Sequence, residues 1–227
     1  LAWMTMEGEA KRDYPSPIDG HTTWYKKYHQ IEDYYARLKT VLERGNPVVH
    51  IGVIHPAESY WIELGPDSTT AETRKRLEEE YNMLAEWLLF GQMDFDYLSE
   101  AMLADYGNVE NGKFQVKEMH YDTVIIPSLI TIRQTTLNLL ERFMLAGGNV
   151  IILGGKPSYV DGIFQNGKNN ILRQALVVPF HKWALYNAVE KKREISVFTE
   201  NGRRAENLLY QMRQDGEKRI LFLAHGK

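Results

Sequence analysis

The chain contains no cysteine. A structural disulfide, a thiolate zinc site and a cysteine nucleophile are thereby excluded together. The compartment stays open, because secreted and periplasmic proteins also fold without disulfides. No apolar run reaches the ~18 to 20 residues needed to span a bilayer, and the N-terminus has neither the basic n-region nor the apolar h-region of a signal peptide. An excess of one charge is also lacking. The 27 Lys and Arg against 30 Asp and Glu give a net charge of -3, which sets up no field for nucleic acid or an anionic membrane. Internal repeats and low-complexity segments are absent as well. What the chain does have is 44% hydrophobic and 25% charged residues over 227 positions, enough for a real core in one to two domains. It opens on Leu1 in place of a start methionine, which fits a piece of a longer chain or a processed N-terminus.

Residues 1–23 are rich in Pro, Gly, Asp and aromatic residues without a sustained period, and read as loop. Over 24–44 the apolar positions Tyr28, Ile31, Tyr34, Tyr35, Leu38, Val41 and Leu42 recur at three- and four-residue steps, closed by Gly45 and Pro47, which predicts an amphipathic helix. The β-branched run 48–54, ending at His55-Pro56, predicts a parallel strand covered on both faces. A helix capped among Ser68, Thr69 and Thr70 is predicted to run to about Phe90, where Gly91 ends it. A strand at 94–98, a small helix or turn at 99–105 and an extra short strand at 113–117 follow. Buried-type strands at 123–127 and 149–154 flank a helix carrying Leu137, Leu140, Phe143 and Met144. A helix near 182–191 and a strand at 195–198 are expected to complete the set. Parallel strands need crossovers of this size, and right-handed crossovers stack helices on both sheet faces, so the pattern predicts an α/β, doubly wound or flavodoxin-like core. Two strand-like runs around Asp215-Gly216 predict a C-terminal β-hairpin.

In an open α/β sheet, ligands gather beyond the carboxyl ends of the strands. This places His55, Glu58, Ser128 and Gly155 in the candidate crevice. The glycine pairs in Gly147-Gly148 and Gly154-Gly155 match neither the dinucleotide fingerprint nor the P-loop; they read as a left-handed helix stop and a tight strand-to-loop turn. Seven scattered histidines form no H-E-x-x-H or i,i+4 pair, so neither a metal nor a cofactor is predicted. Glu58, Glu63, Asp94, Asp96 and Asp122 are carboxylates of unknown separation, and no motif makes any two of them an acid and base pair. Ser128 lacks the G-x-S-x-G elbow of a nucleophile and reads as a helix cap. Tyr14, Trp24, Tyr25, Tyr60 and Trp61 sit in or beside loops, where rings can stack on sugars, anchor a neighbouring domain or simply be buried. No catalytic residue is assigned.

Lys11-Arg12-Asp13-Tyr14-Pro15, Trp24-Tyr25-Lys26-Lys27-Tyr28, Tyr35-Ala36-Arg37-Leu38 and Gly45 before a strand ending in His55-Pro56 together resemble large bacterial glycoside hydrolases of the α-L-rhamnosidase type. More distantly they resemble β-galactosidases with a trimerisation domain after the barrel. Asp94-Phe95-Asp96-Tyr97-Leu98, the stretch 121–127, Ala146-Gly147-Gly148 and Arg213-Gln214-Asp215-Gly216 before Ile220-Leu221-Phe222-Leu223 follow the same template in order. The resemblance implies that 1–45 ends a preceding (β/α)₈ barrel as a loop-helix extension. It implies a flavodoxin-like, class I glutamine amidotransferase-like domain over 46–205 and the start of a β-sandwich over 206–227. The two catalytic carboxylates of such enzymes would precede Leu1, and amidotransferase chemistry has no cysteine here to perform it. Lys11, Arg12, Asp13, His21 and Trp24 would then line a sugar subsite on the last barrel loop, or pack against the next domain.

The leading expectation is a non-catalytic accessory domain of a carbohydrate-active hydrolase. It would contact carbohydrate through the parent enzyme, buttress the barrel or form oligomer contacts, and bind neither nucleic acid nor membrane. The alternatives are a free-standing sugar or small-molecule binding module using the crevice near His55, Glu58, Ser128 and Gly155, and an autonomous hydrolase with an unrecognised site. Export and the native sugar are not encoded in any motif here.

Overall fold

The structure is a computed structural model, in which residues 23–166 and 171–226 are described. The chain forms two compact units. One comprises the described residues up to Pro47 together with Arg213–Ile220; the other comprises Val48–Met212 together with the described residues from Leu221 on.

In the first unit, helix α1 (His29–Leu42) follows a 3₁₀ turn at Tyr25–Lys27. The helical period is as expected, but no side chain of α1 is buried, and Ile31, Tyr34, Tyr35 and Val41 are exposed. Asn46 and Pro47 pair antiparallel with Gln214 and Arg213. The Arg213 guanidinium donates to the carbonyls of Arg44 and Gly45 at 2.6 and 2.7 Å, and Arg44 pairs with Asp215 at 2.7 Å.

The second unit is built on a five-stranded parallel sheet. Strand β1 (Ile51–Ile54) is followed by α2 (Ala57–Ile62) and α3 (Asp67–Phe90), then β2 (Phe95–Leu98) and α4 (Glu100–Tyr106). An antiparallel meander comes next: β3 (Gly107–Glu110), β4 (Lys113–Val116) and β5 (Met119–Tyr121). Strand β6 (Thr123–Ile126), helix α5 (Gln134–Leu145), strand β7 (Asn149–Leu153), strand β8 (Leu176–Val178) and helix α6 (Lys182–Val189) complete the layers. The spatial order is β8-β7-β6-β1-β2 with all neighbours parallel. The second strand therefore lies on one side of the first and the remaining three on the other.

Strand residues alternate between two cores, as the two-residue period of a strand requires. Ile54, Val124, Ile126, Val150 and Ile152 share one cluster with Leu103 of α4 and Leu137, Leu140 and Phe143 of α5. Ile51, Val53, Ile125, Ile151 and Leu153 share the other with Leu84 and Leu88 of α3 and Leu185 and Val189 of α6. Burial on both faces explains why these strands read as unbroken apolar runs. Helix α5 ends in a Schellman motif: the Gly148 N–H bonds the Phe143 carbonyl at 2.8 Å and the Gly147 N–H bonds that of Met144 at 3.0 Å. Gly147 stands at φ +87°, and a Cβ on Gly148 would overlap the Phe143 ring, so this pair is used as a helix stop.

Four expectations are corrected. The fifth strand is Leu176–Val178, not 195–198. Around Val197 the backbone is engaged elsewhere: its N–H donates to the Gln92 side-chain carbonyl at 2.8 Å, and its C=O accepts from the Ala205 N–H at 2.9 Å. The first strand begins at Ile51, not 48, since the Val48 N–H is taken by the Met212 carbonyl. Helix α3 starts at Asp67 with Pro66 at the cap position; the Thr69 and Thr70 hydroxyls donate to the Pro66 carbonyl and accept no helix N–H. Ser128 caps no helix, because α5 begins six residues later behind Arg133. The C-terminal hairpin forms as expected, with strands β9 (Leu208–Asp215) and β10 (Lys218–His225).

Candidate functional site

The sheet order reverses between β1 and β6, so the crevice beyond their carboxyl ends is where a doubly wound sheet takes its ligands. Here the chain's own groups occupy it. After β1 the backbone turns through His55-Pro56 into α2, whose Ser59 is only 1% exposed. Its hydroxyl donates to the Thr131 carbonyl at 3.1 Å and accepts the N–H groups of Ile130 and Thr131 at 3.0 and 3.1 Å. One residue earlier, Glu58 receives the Nε and terminal nitrogen of Arg133 on one oxygen at 3.0 and 2.7 Å. Glu100, also 1% exposed, accepts the Arg133 backbone N–H at 2.8 Å, at the N-terminus of α5. Burial pushes the Glu100 carboxyl up; the Arg133 N–H opposes the shift and the Glu58 charge adds to it. Glu58 and Glu100 thus share one arginine in a structural clamp.

Next to this clamp lies a cleft of about 340 Å³ lined by the segment His55-Pro56-Ala57 and by Tyr60, Trp61, Leu77, Glu78 and Tyr81. Tyr81 stacks on Tyr97 with ring centroids 5.0 Å apart, and the His55 ring stands edge-on to both at 5.5 Å. The Tyr97 hydroxyl lies beside that of Tyr81 without hydrogen-bond geometry. Burial, reinforced by Tyr81, raises its pKa well above the ordinary phenol range. Trp61 is 60% exposed at the rim.

The opposite, amino-terminal edge of the sheet carries a charged cluster. Strand register sets His50, Asp94 and Asp122 side by side, each just before its strand. His50 bridges Asp122 through Nδ1 at 2.9 Å and Glu194 through Nε2 at 2.7 Å. Lys113 bonds the other Asp122 oxygen, and Lys192 approaches the oxygen that faces His50 at 3.7 Å. Burial acts to raise the Asp122 pKa, but the Lys113 hydrogen bond and the charges of Lys192, Lys113 and His50 outweigh it and hold the carboxyl below its usual value. Because its two carboxylates sit on opposite ring nitrogens, His50 serves as a tie between segments. Among the described residues no group of three or more His, Asp or Glu side chains is arranged to hold a metal.

Asp94 differs from its neighbours. Burial pushes its carboxyl up to about 6, opposed by the Phe95 N–H it accepts and aided by the Asp96 charge. A folded-state value above the unfolded one means that the native state binds the extra proton between about pH 4 and 6, so stability is fullest below pH 4 and is lost as pH rises through 6. Asp94→Asn keeps the acceptor oxygen and removes that loss. In urea unfolding the variant is expected to match the parent at pH 4 and to exceed it by about 3 kcal/mol at pH 8; equal stability at both pH values would contradict the assignment.

Of the residues singled out from the sequence, Lys11, Arg12, Asp13 and His21 lie outside the described residues. Trp24 is 45% exposed and packs its ring against Tyr28 at 5.8 Å. His55, Glu58, Ser128 and Gly155 do stand at one sheet edge, since β1, β6 and β7 are neighbours, yet they do not form one site. His55 faces the aromatic cleft, Glu58 is held by Arg133, Ser128 sits against Gly154, and Gly155 has open space around its Cα. Tyr81, Arg133 and the His50 tie were not legible beforehand. Their only signal is position: His50 and Asp122 each immediately precede a buried strand, and their pairing depends on strand order.

The class defined by these observations is a mixed α/β protein with a central parallel sheet. No protein-family model matches the chain, and no curated protein matches it. Among solved structures it is similar in fold to the rhamnosidase from Novosphingobium sp. PP1Y, with a TM-score of 0.56 and 12% identity over 93% of this chain and 20% of that one. The chain therefore spans about a fifth of that rhamnosidase, and at this identity the likeness is one of fold.

Proposed function

We propose that the chain is a non-catalytic accessory portion of a carbohydrate-active hydrolase whose catalytic carboxylates lie elsewhere in the parent. The observation that carries this reading is the fold likeness to a rhamnosidase over nearly the whole of this chain and only a fifth of that enzyme. The filled crevice supports it: the place where this sheet order would receive a ligand is closed by Ser59 and by the Glu58–Arg133–Glu100 clamp. The strand order, 2-1-3-4-5 when the parallel strands are counted along the chain, supports a flavodoxin-like identity for the sheet, and the absence of cysteine fits a retained fold without amidotransferase chemistry. In this reading 1–45 closes a preceding barrel, 46–205 is the flavodoxin-like domain and 206–227 enters a β-sandwich. Lys11, Arg12, Asp13, His21 and Trp24 then belong to the sugar-facing loop of the barrel.

The test is hydrolysis of a panel of aryl glycosides, rhamnosides and galactosides included, by this chain and by its full-length parent. Turnover by the parent alone is expected, with two carboxylates outside this chain supplying acid and nucleophile or base. Turnover by this chain at a comparable rate would refute the reading, as would a parent that hydrolyses none of the panel.

A further inference from the structure

We propose that the aromatic cleft between α2 and α3 is a binding site for the ring of a neutral, hydroxylated sugar, a pyranose unit of a saccharide. The cleft offers two kinds of surface within about 340 Å³, at the small end of ligand sites. Tyr60, Trp61 and Tyr81 supply π faces, on which the C–H face of a pyranose packs without leaving a polar atom unpaired. His55 and Glu78 supply polar atoms beside those rings. Among the described residues neither the His55 ring nitrogens nor the Glu78 carboxylate makes a hydrogen bond or ion pair, so both are available to hydroxyl groups. A purely apolar ligand would strip water from these two groups and return nothing. An anionic ligand is disfavoured by the Glu78 charge and, among the described residues, by a lining without Lys or Arg. The platform is also held in place before any ligand arrives. Tyr81 sits on a 24-residue helix and is backed by Tyr97, while Trp61 follows Ser59, the buried clip of α2, by two residues. Such preorganisation lowers the entropic cost of weak binding.

This inference rests on the chemistry of the cleft and does not require that a parent enzyme be a glycosidase, so its outcome is separate from the hydrolysis test. The experiment is a ¹H–¹⁵N NMR titration of the chain with methyl α-L-rhamnopyranoside, methyl β-D-galactopyranoside, cyclohexanol and adenosine. The expected result is saturable shifts centred on residues 55–62 and 77–81 with a millimolar Kd for at least one of the sugars. Trp61→Ala should weaken it about tenfold or more, and Trp61→Phe should restore most of the loss. Trp61 is exposed, and the spectrum itself reports whether each variant is folded. The inference is overturned if neither sugar gives saturable shifts, if Trp61→Ala leaves Kd unchanged, or if cyclohexanol or adenosine binds as well as the sugars.

Discussion

Phe143→Ala is expected to lower the unfolding free energy by about 3 to 5 kcal/mol, because it empties a fully buried phenylalanine position of a closed core layer. The ring is fully buried, stands edge-on to Phe114 at 5.5 Å, and belongs to the cluster formed by β1, β6 and β7 with α4 and α5. It also fills the space over Gly148, where the α5 stop leads into β7. Removing it leaves a cavity that a close-packed core collapses only in part, so the lost transfer energy and the cavity term add. Against a total stability of about 5 to 15 kcal/mol this is a large fraction. Urea unfolding with an unchanged m-value is the measurement; a loss under about 1 kcal/mol would mean that this layer is not the close-packed core described.

Ser59→Ala is expected to cost about 3 kcal/mol despite deleting a single oxygen. That oxygen satisfies three backbone groups, the N–H of Ile130 and Thr131 and the carbonyl of Thr131. Alanine leaves them facing a methyl group in a buried place, and each orphaned buried group carries a penalty of about 1 to 3 kcal/mol, partly relieved if water enters. The amides of Ile130 and Thr131 should then exchange much faster with solvent than those of β6, because the Ser59 clip holds that loop across the crevice. Unchanged exchange at both amides would show that the crevice is not closed by Ser59. The two variants also probe separate features: the first tests the core under the sheet, the second tests why the sheet's usual ligand edge is occupied.

Much of this fold is legible in the sequence because its strands are buried on both faces. Continuous β-branched runs at Ile51–Ile54, Thr123–Ile126 and Asn149–Leu153 declare themselves without any partner. The intervening helices are set by their apolar spacing, and Gly147 and Gly148 by the stop they form. The sequence pattern predicts only the middle strand of the meander, although Asn111-Gly112, a hairpin turn signal with both residues at positive φ, joins Gly107–Glu110 to Lys113–Val116. Asp161-Gly162, between Tyr159–Val160 and Ile163–Phe164, is the same signal a second time. The misplaced fifth strand has a different cause. Leu176–Val178 is three residues long and half exposed, whereas 195–198 alternates well but sends its backbone bonds to Gln92 and Ala205. Local pattern cannot decide between them when the deciding partner is about a hundred residues away.

The candidate crevice shows the same division at the level of single side chains. That His55, Glu58, Ser128 and Gly155 would lie at the carboxyl edge followed from the sequence, because each comes just after a strand that must be parallel to its neighbours. That Glu58 is neutralised by Arg133, that Ser59 closes the loop after β6, and that His55 turns toward Tyr81 and Tyr97 are facts of the tertiary structure alone. The sequence by itself determined the elements, their alternation and the exclusion of thiol chemistry, since these depend on composition and on periods of two and 3.6 residues within one segment. Strand order, register and the choice between an open crevice and a filled one were decided only by the folded chain, because each depends on groups distant in sequence competing for the same partner.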